Sequence, residues 1–157
     1  SWRKDSTSGL LFTKNYGSFS NLTLLISMIK FTYTILYVED VVKTMDFYQR
    51  AFGFSEKMLA PDQSYGEVAS GETILSFAHK SLAKSNLKDG FIESDLSKQP
   101  FGIEIGFTTD DVTETLAGAV AAGALLLEEP KTKPWGQMVA YVRDLDGFLI
   151  EICSVMN

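Results

Sequence analysis

From about residue 31 onward, the apolar and polar positions fall into two rounds of the same order. Phe31–Glu39 is rich in β-branched and aromatic residues, which predicts a strand. Asp40 offers a helix N-cap, and Val41, Met45, Tyr48 and Phe52 follow at helical spacing. Gly53 ends that helix, because glycine tolerates the left-handed conformation at a helix terminus. Phe54–Leu59, Tyr65–Ala69 and Thr73–Ala78 read as short strands, with turn signals at Pro61-Asp62 and Ser70-Gly71. Residues 80–100 are a polar connection ending at Pro100, with a loose turn or short helix expected from Asn86 to Ser97. The order then restarts. Phe101–Thr108 predicts a strand, Asp111 a cap, and Val112, Leu116 and Ala119 a helix closed by Gly123. Ala124–Leu127, Gln137–Val142 and Phe148–Cys153 complete the second round. Asp144-Leu145-Asp146-Gly147 predicts a hairpin turn, its Asp-Gly pair supplying positive φ angles.

The two rounds superimpose at an offset of 71 residues, the separation of Asp40 from Asp111, which also places Tyr33 on Glu104. An internal repeat of this length predicts two copies of one βαβββ unit. The expected fold class is α+β, two modules of about residues 28–80 and 100–157 joined by a linker at 81–99, their curved sheets enclosing a cleft. Residues 1–27 differ in texture, being rich in Ser, Thr, Gly and Asn without a sustained period. They are expected to be an extension preceding a domain that starts near Met28. The alternative is an N-terminal strand in which Leu22–Ile26 pairs with a sheet edge.

Composition narrows the function. The chain has 157 residues, long enough to bury a core without disulfide or metal. A net charge of −6 argues against nucleic acid or an anionic membrane as partner. The longest apolar stretch, Leu22–Phe31, is too short and too interrupted to span a bilayer, and a cytoplasmic location is expected. One histidine, His79, and one cysteine, Cys153, exclude a multi-histidine or multi-cysteine metal site within one chain.

Tyr37-Val38-Glu39-Asp40-Val41, Phe47-Tyr48 and Phe52-Gly53-Phe54 form one ordered set of motifs. Phe107, Asp110-Asp111-Val112 and Ala121-Ala122-Gly123 form a second, and Pro134-Trp135-Gly136, Tyr141 to Gly147 and Ile150-Glu151 a third. Together they resemble the vicinal oxygen chelate superfamily, also called the glyoxalase/bleomycin resistance/dioxygenase fold. Leu145 stands where that family usually has proline. The resemblance implies that metal-using members carry ligands on the first and last strands of each module. These positions fall here on Tyr33, Glu104 and Glu151, with Leu75 or Ser76 as the fourth. Two carboxylates and a neutral phenol are a weak set for zinc, nickel or iron, whose catalytic sites usually draw three protein ligands with imidazole prominent.

Two functions are therefore weighed. The first is a small-molecule binding protein of the bleomycin-sequestering kind, without catalytic metal or other cofactor, taking a cationic or aromatic ligand in an acidic cleft. Tyr33, Glu104, Trp135 and Glu151 would line that cleft, with Ile35, Tyr37 and Leu149 as same-face neighbours by strand alternation. The second is a metal-dependent lyase, isomerase or dioxygenase with a reduced site at Glu104 and Glu151, its least strained ion manganese or magnesium. The resemblance also implies a homodimer. Plainer roles stand beside these: Glu104 paired with a lysine or solvated, Trp135 covering the core, His79 exposed at a strand end, Cys153 a small buried apolar residue.

Overall fold

A computed structural model describes residues 29–156, and among these every regular element lies in the compact unit that begins at Thr32. The order is β1 (Tyr33–Val38), α1 (Val41–Phe52), β2 (Ser55–Leu59), β3 (Tyr65–Ser70), β4 (Thr73–His79), α2 (Lys80–Asn86), β5 (Glu104–Thr109), α3 (Val112–Ala122), β6 (Leu125–Thr132), β7 (Met138–Arg143) and β8 (Leu149–Ser154). Two four-stranded sheets result, ordered β1-β4-β3-β2 and β5-β8-β7-β6. In each, the first and last strands of a module pair in parallel and the remaining neighbours are antiparallel. This is the βαβββ unit, made twice. The extension or edge strand expected at residues 1–27 lies outside the described residues. No helix among the described residues is long and apolar enough to cross a membrane.

The helices begin and end where local chemistry dictates. The Asp40 and Asp111 carboxylates accept the backbone N–H groups of Lys43 and Glu114, which the first turn of a helix leaves without partners. Gly53 and Gly123 take the left-handed conformation at the other ends. The connection differs from expectation. Its helix is α2, directly after β4, and residues 87–103 contain no further helix or strand. His79 starts α2, its Nδ1 accepting the Ser81 N–H, so it is half-buried and structural rather than simply exposed.

The core sits between helices and sheets and runs through both modules. Leu36, Val38, Val68, Leu75 and Phe77 pack under α1, and Ala140, Val142, Ile150 and Ile152 under α3. Gly66 lets α1 approach β3 closely, since a Cβ there would lie 2.2 Å from the Met45 sulfur. At the seam, Tyr48 and Phe52 of α1 and Phe54 meet the Phe107 ring of β5. The Phe47-Tyr48 and Phe52 run is therefore core.

Polar groups lock the same seam. Tyr48 Oη donates to Asp144 Oδ2 at 2.8 Å, and Thr44 Oγ1 donates to Asp146 Oδ2 at 2.7 Å. The Glu39 backbone N–H donates to Asp146 Oδ1. The turn between β7 and β8 thus does more than reverse the chain. Only Gly147 has positive φ there, at 91°; Asp146 does not, and serves as acceptor instead.

Candidate functional site

Strand alternation leaves one face of each sheet turned away from its helix. On the second module that face carries Glu104, Gly106 and Thr108 of β5, Leu149, Glu151 and Cys153 of β8, and Val139, Tyr141 and Arg143 of β7. Register brings four titratable groups together. Glu104 pairs with Leu149 and Gly106 with Glu151, so the two glutamates are diagonal neighbours across β5 and β8. Tyr141 and Cys153 flank Glu151 from β7 and from β8 itself. Tyr141 Oη donates to Glu151 Oε2 at 2.8 Å.

The electrostatics follow from that crowding. Partial burial, and then the Glu151 charge, raise the Glu104 carboxyl above its ordinary range. The hydrogen bond to Glu151 pushes the Tyr141 phenol up to about 12, so Tyr141 remains a donor at neutral pH. Burial first, and then Glu151, push the Cys153 thiol up to about 11, which keeps it protonated and a poor nucleophile. Among the described residues, neither glutamate forms an ion pair. Lys133 approaches this group only over the Tyr141 ring, at 5.8 Å from its centroid.

Of the other expected residues, Leu149 shares this face, opposite Glu104. Ile35 and Tyr37 are on β1 of the first module, where they line a cavity with Phe91 and Phe148. Trp135 lies in the β6–β7 loop, 63% exposed, its indole N–H donating to Gln137 Oε1; it does not cover the core. Tyr33 is on β1, opposite Ile74, and its side chain lies outside the described residues. Tyr141 is the member of the acidic group missed from sequence. A hairpin register centred on Asp146 would have placed it opposite Glu151.

The sequence profile of the Glyoxalase/Bleomycin resistance protein/Dioxygenase superfamily matches residues 30–152. The chain belongs to that superfamily. Solved structures share the fold at low identity. A glyoxalase/bleomycin resistance protein/dioxygenase family enzyme from Burkholderia phytofirmans PsJN is 23% identical with a TM-score of 0.69, covering 79% of this chain and 97% of that one. A glyoxalase-related enzyme from Fulvimarina pelagi is 20% identical with a TM-score of 0.68, over 82% and 89%. A lactoylglutathione lyase from Agrobacterium tumefaciens is 20% identical with a TM-score of 0.60, over 80% and 92%. No curated protein matches the chain.

The positions of the superfamily's metal ligands can be placed by strand register. Tyr33 pairs with Ile74 and Ile35 with Ser76, as Glu104 pairs with Leu149 and Gly106 with Glu151. The position equivalent to Glu151 is therefore Ser76, not Leu75, which faces the core. Ser76 is fully buried, and its hydroxyl has no hydrogen-bond partner among the described residues. The four equivalent positions hold a phenol, a neutral hydroxyl and two carboxylates. Among the described residues no three His, Cys, Asp or Glu converge to hold an ion. That donor set does not fit a three-ligand catalytic metal site within one chain.

Proposed function

We propose that the protein binds a cationic or aromatic small molecule on the open acidic face of its second module and needs no catalytic metal to do so. The observation that carries this reading is the Glu104–Glu151 pair. The two carboxylates are adjacent and have no ion-pair partner among the described residues, and the Glu151 charge adds to the cost of ionising Glu104. A ligand cation placed between them relieves that repulsion. Tyr141 adds an aromatic face and a hydroxyl already committed to Glu151. The residue types at positions 33 and 76, a tyrosine and a serine, support binding over metal chemistry, because neither is ordinarily a strong ligand at neutral pH.

Calorimetric titration with bleomycin, ethidium and acridine orange tests the reading. At least one should bind saturably, more weakly as salt rises. The Glu104→Gln/Glu151→Gln double variant should lose about tenfold or more in affinity, as expected when a charge-assisted contact is removed. Absence of binding by all three, or binding that the double variant leaves unchanged, overturns it.

A further inference from the structure

The first module holds a part-open hollow of about 230 Å³ between β1 and the inter-module connection. Ile35 and Tyr37 form one wall. Phe91, Ile92, Ser94 and Phe101 of the connection form another, and Phe148 borders it from the turn before β8. Neither Glu104, Tyr141 nor Glu151 lines it, so a ligand held here would be independent of the acidic face.

Three observations single this cavity out. Its walls are aromatic and carry no charged side chain, with the Tyr37 and Phe91 rings 4.7 Å apart and tilted by 57°. The connection that forms one wall is tethered at two points. Glu93 is bound by Lys80 and Lys84, while the Arg143 guanidinium donates to the carbonyls of Asp95, Leu96 and Lys98. The cavity is thus built into the fold, as small-molecule pockets usually are. Finally, Ser94 belongs to the wall and is 6% exposed, yet its hydroxyl has no hydrogen-bond partner among the described residues. Buried hydroxyls rarely remain unpaired.

We propose that this cavity binds an uncharged aromatic molecule of one ring or two fused rings carrying one hydrogen-bonding group. The ring lies among Tyr37, Phe91, Phe101 and Phe148, and the polar group meets Ser94. Size supports this class: a cavity of about 150 Å³ in another protein accepts benzene, and the larger space here accommodates a substituted ring or an indole. The absence of charge in the wall favours a neutral ligand, since no lining side chain would compensate an ion on the walled side.

Indole and naphthalene are the probes, one with an N–H donor and one without. In a two-dimensional amide NMR titration, indole should give saturable shifts centred on residues 35, 37, 91–94, 101 and 148. Ser94→Ala should weaken indole about fivefold, the loss of one neutral hydrogen bond, and leave naphthalene within about twofold. Ile35→Trp, at a partly exposed wall position, should abolish binding of both. No saturable shift in the wild type overturns the proposal, as do shifts centred on the Glu104–Glu151 face or equal weakening of both probes by Ser94→Ala. If Ile35→Trp fails to fold, the comparison of probes in Ser94→Ala still decides. Titration of the same samples with the cationic dyes separates failure at this cavity from failure at the acidic face.

Discussion

Tyr48 and Asp144 stand 96 residues apart in sequence and 2.8 Å apart in space, phenol to carboxylate, across the seam between the two modules. Tyr48 is wholly buried in the aromatic cluster, and burial with the nearby Asp144 charge raises its pKa well above the usual value. It is therefore a donor at any pH in which the protein works. Asp144 in turn accepts the backbone N–H groups of Asp146 and Phe148, so one carboxylate organises the β7–β8 turn and fastens it to α1.

Tyr48→Phe keeps the ring and deletes the donor, leaving Asp144 Oδ2 short of a partner in a dry interface. The expected cost is about 1–3 kcal/mol of folding stability, read as a lower urea midpoint with an unchanged slope.

Asp144 also sets a pH signature. Burial raises its pKa from 3.8 to about 6 in the folded state, although the Tyr48 hydrogen bond opposes the shift. Between those values the folded chain holds a proton there that the unfolded chain has released. Stability from this group is thus greatest at low pH and declines as pH rises from about 4 to about 6. Asp144→Asn removes the titration, so its stability relative to wild type should climb by about 3 kcal/mol over that range, the linkage value of a two-unit shift. Urea unfolding at half-unit pH steps measures the difference curve; a flat curve contradicts the assignment.

Arg143 is 3% exposed and spends its guanidinium on four carbonyls, those of Asp95, Leu96, Lys98 and Gly147. A lysine cannot reach this set from one nitrogen. Arg143→Lys should lose at least about 2 kcal/mol, the scale of charged hydrogen bonds left unmade. Residues 87–103 should become the first site of proteolytic cleavage, detected by mass spectrometry of early fragments.

Gly147 is constrained by the same arrangement. Its φ of 91° is costly for any other residue, and a Cβ would lie 2.6 Å from Arg143 Nη2 and 2.8 Å from the Asp95 backbone. Gly147→Ala should destabilise by about 2–4 kcal/mol, and calorimetry should show more loss than for Gly136→Ala. Position 136 shares the positive φ but has open space around it.

The donor set at Tyr33, Ser76, Glu104 and Glu151 gives its own prediction. Protein purified without chelator and dialysed should retain far less than one divalent ion per chain by elemental analysis. Retention of about one ion that Glu151→Ala abolishes would instead support the lyase, isomerase or dioxygenase alternative.

Much of the fold could be read locally. The caps at Asp40 and Asp111 and the glycines at 53 and 123 act over three or four residues, so composition and spacing suffice to place them. The repeat was legible because both modules keep the same interval between first strand and helix. Features that depend on pairing were not. Leu75 and Ser76 remained alternatives because the loops between Gly53 and β4 differ in length from those between Gly123 and β8. Only the register of β1 on β4 selects Ser76. Strand β6 runs to Thr132 rather than Leu127 because β7 supplies hydrogen-bond partners along it, across two irregularities in register.

The amino-acid sequence by itself determined two βαβββ units, their helix boundaries, the acidic balance and the presence of a single histidine. Each of these follows from side-chain type and short-range spacing. Tertiary structure decided which side chains meet. It turned a turn motif into the seam between modules, put Tyr141 and Cys153 beside Glu151, and set Ile35 and Tyr37 in a hollow away from the Glu104–Glu151 face. The reason is that strand alternation fixes the face of a residue, while sheet register and module packing, set by distant parts of the chain, fix its neighbours.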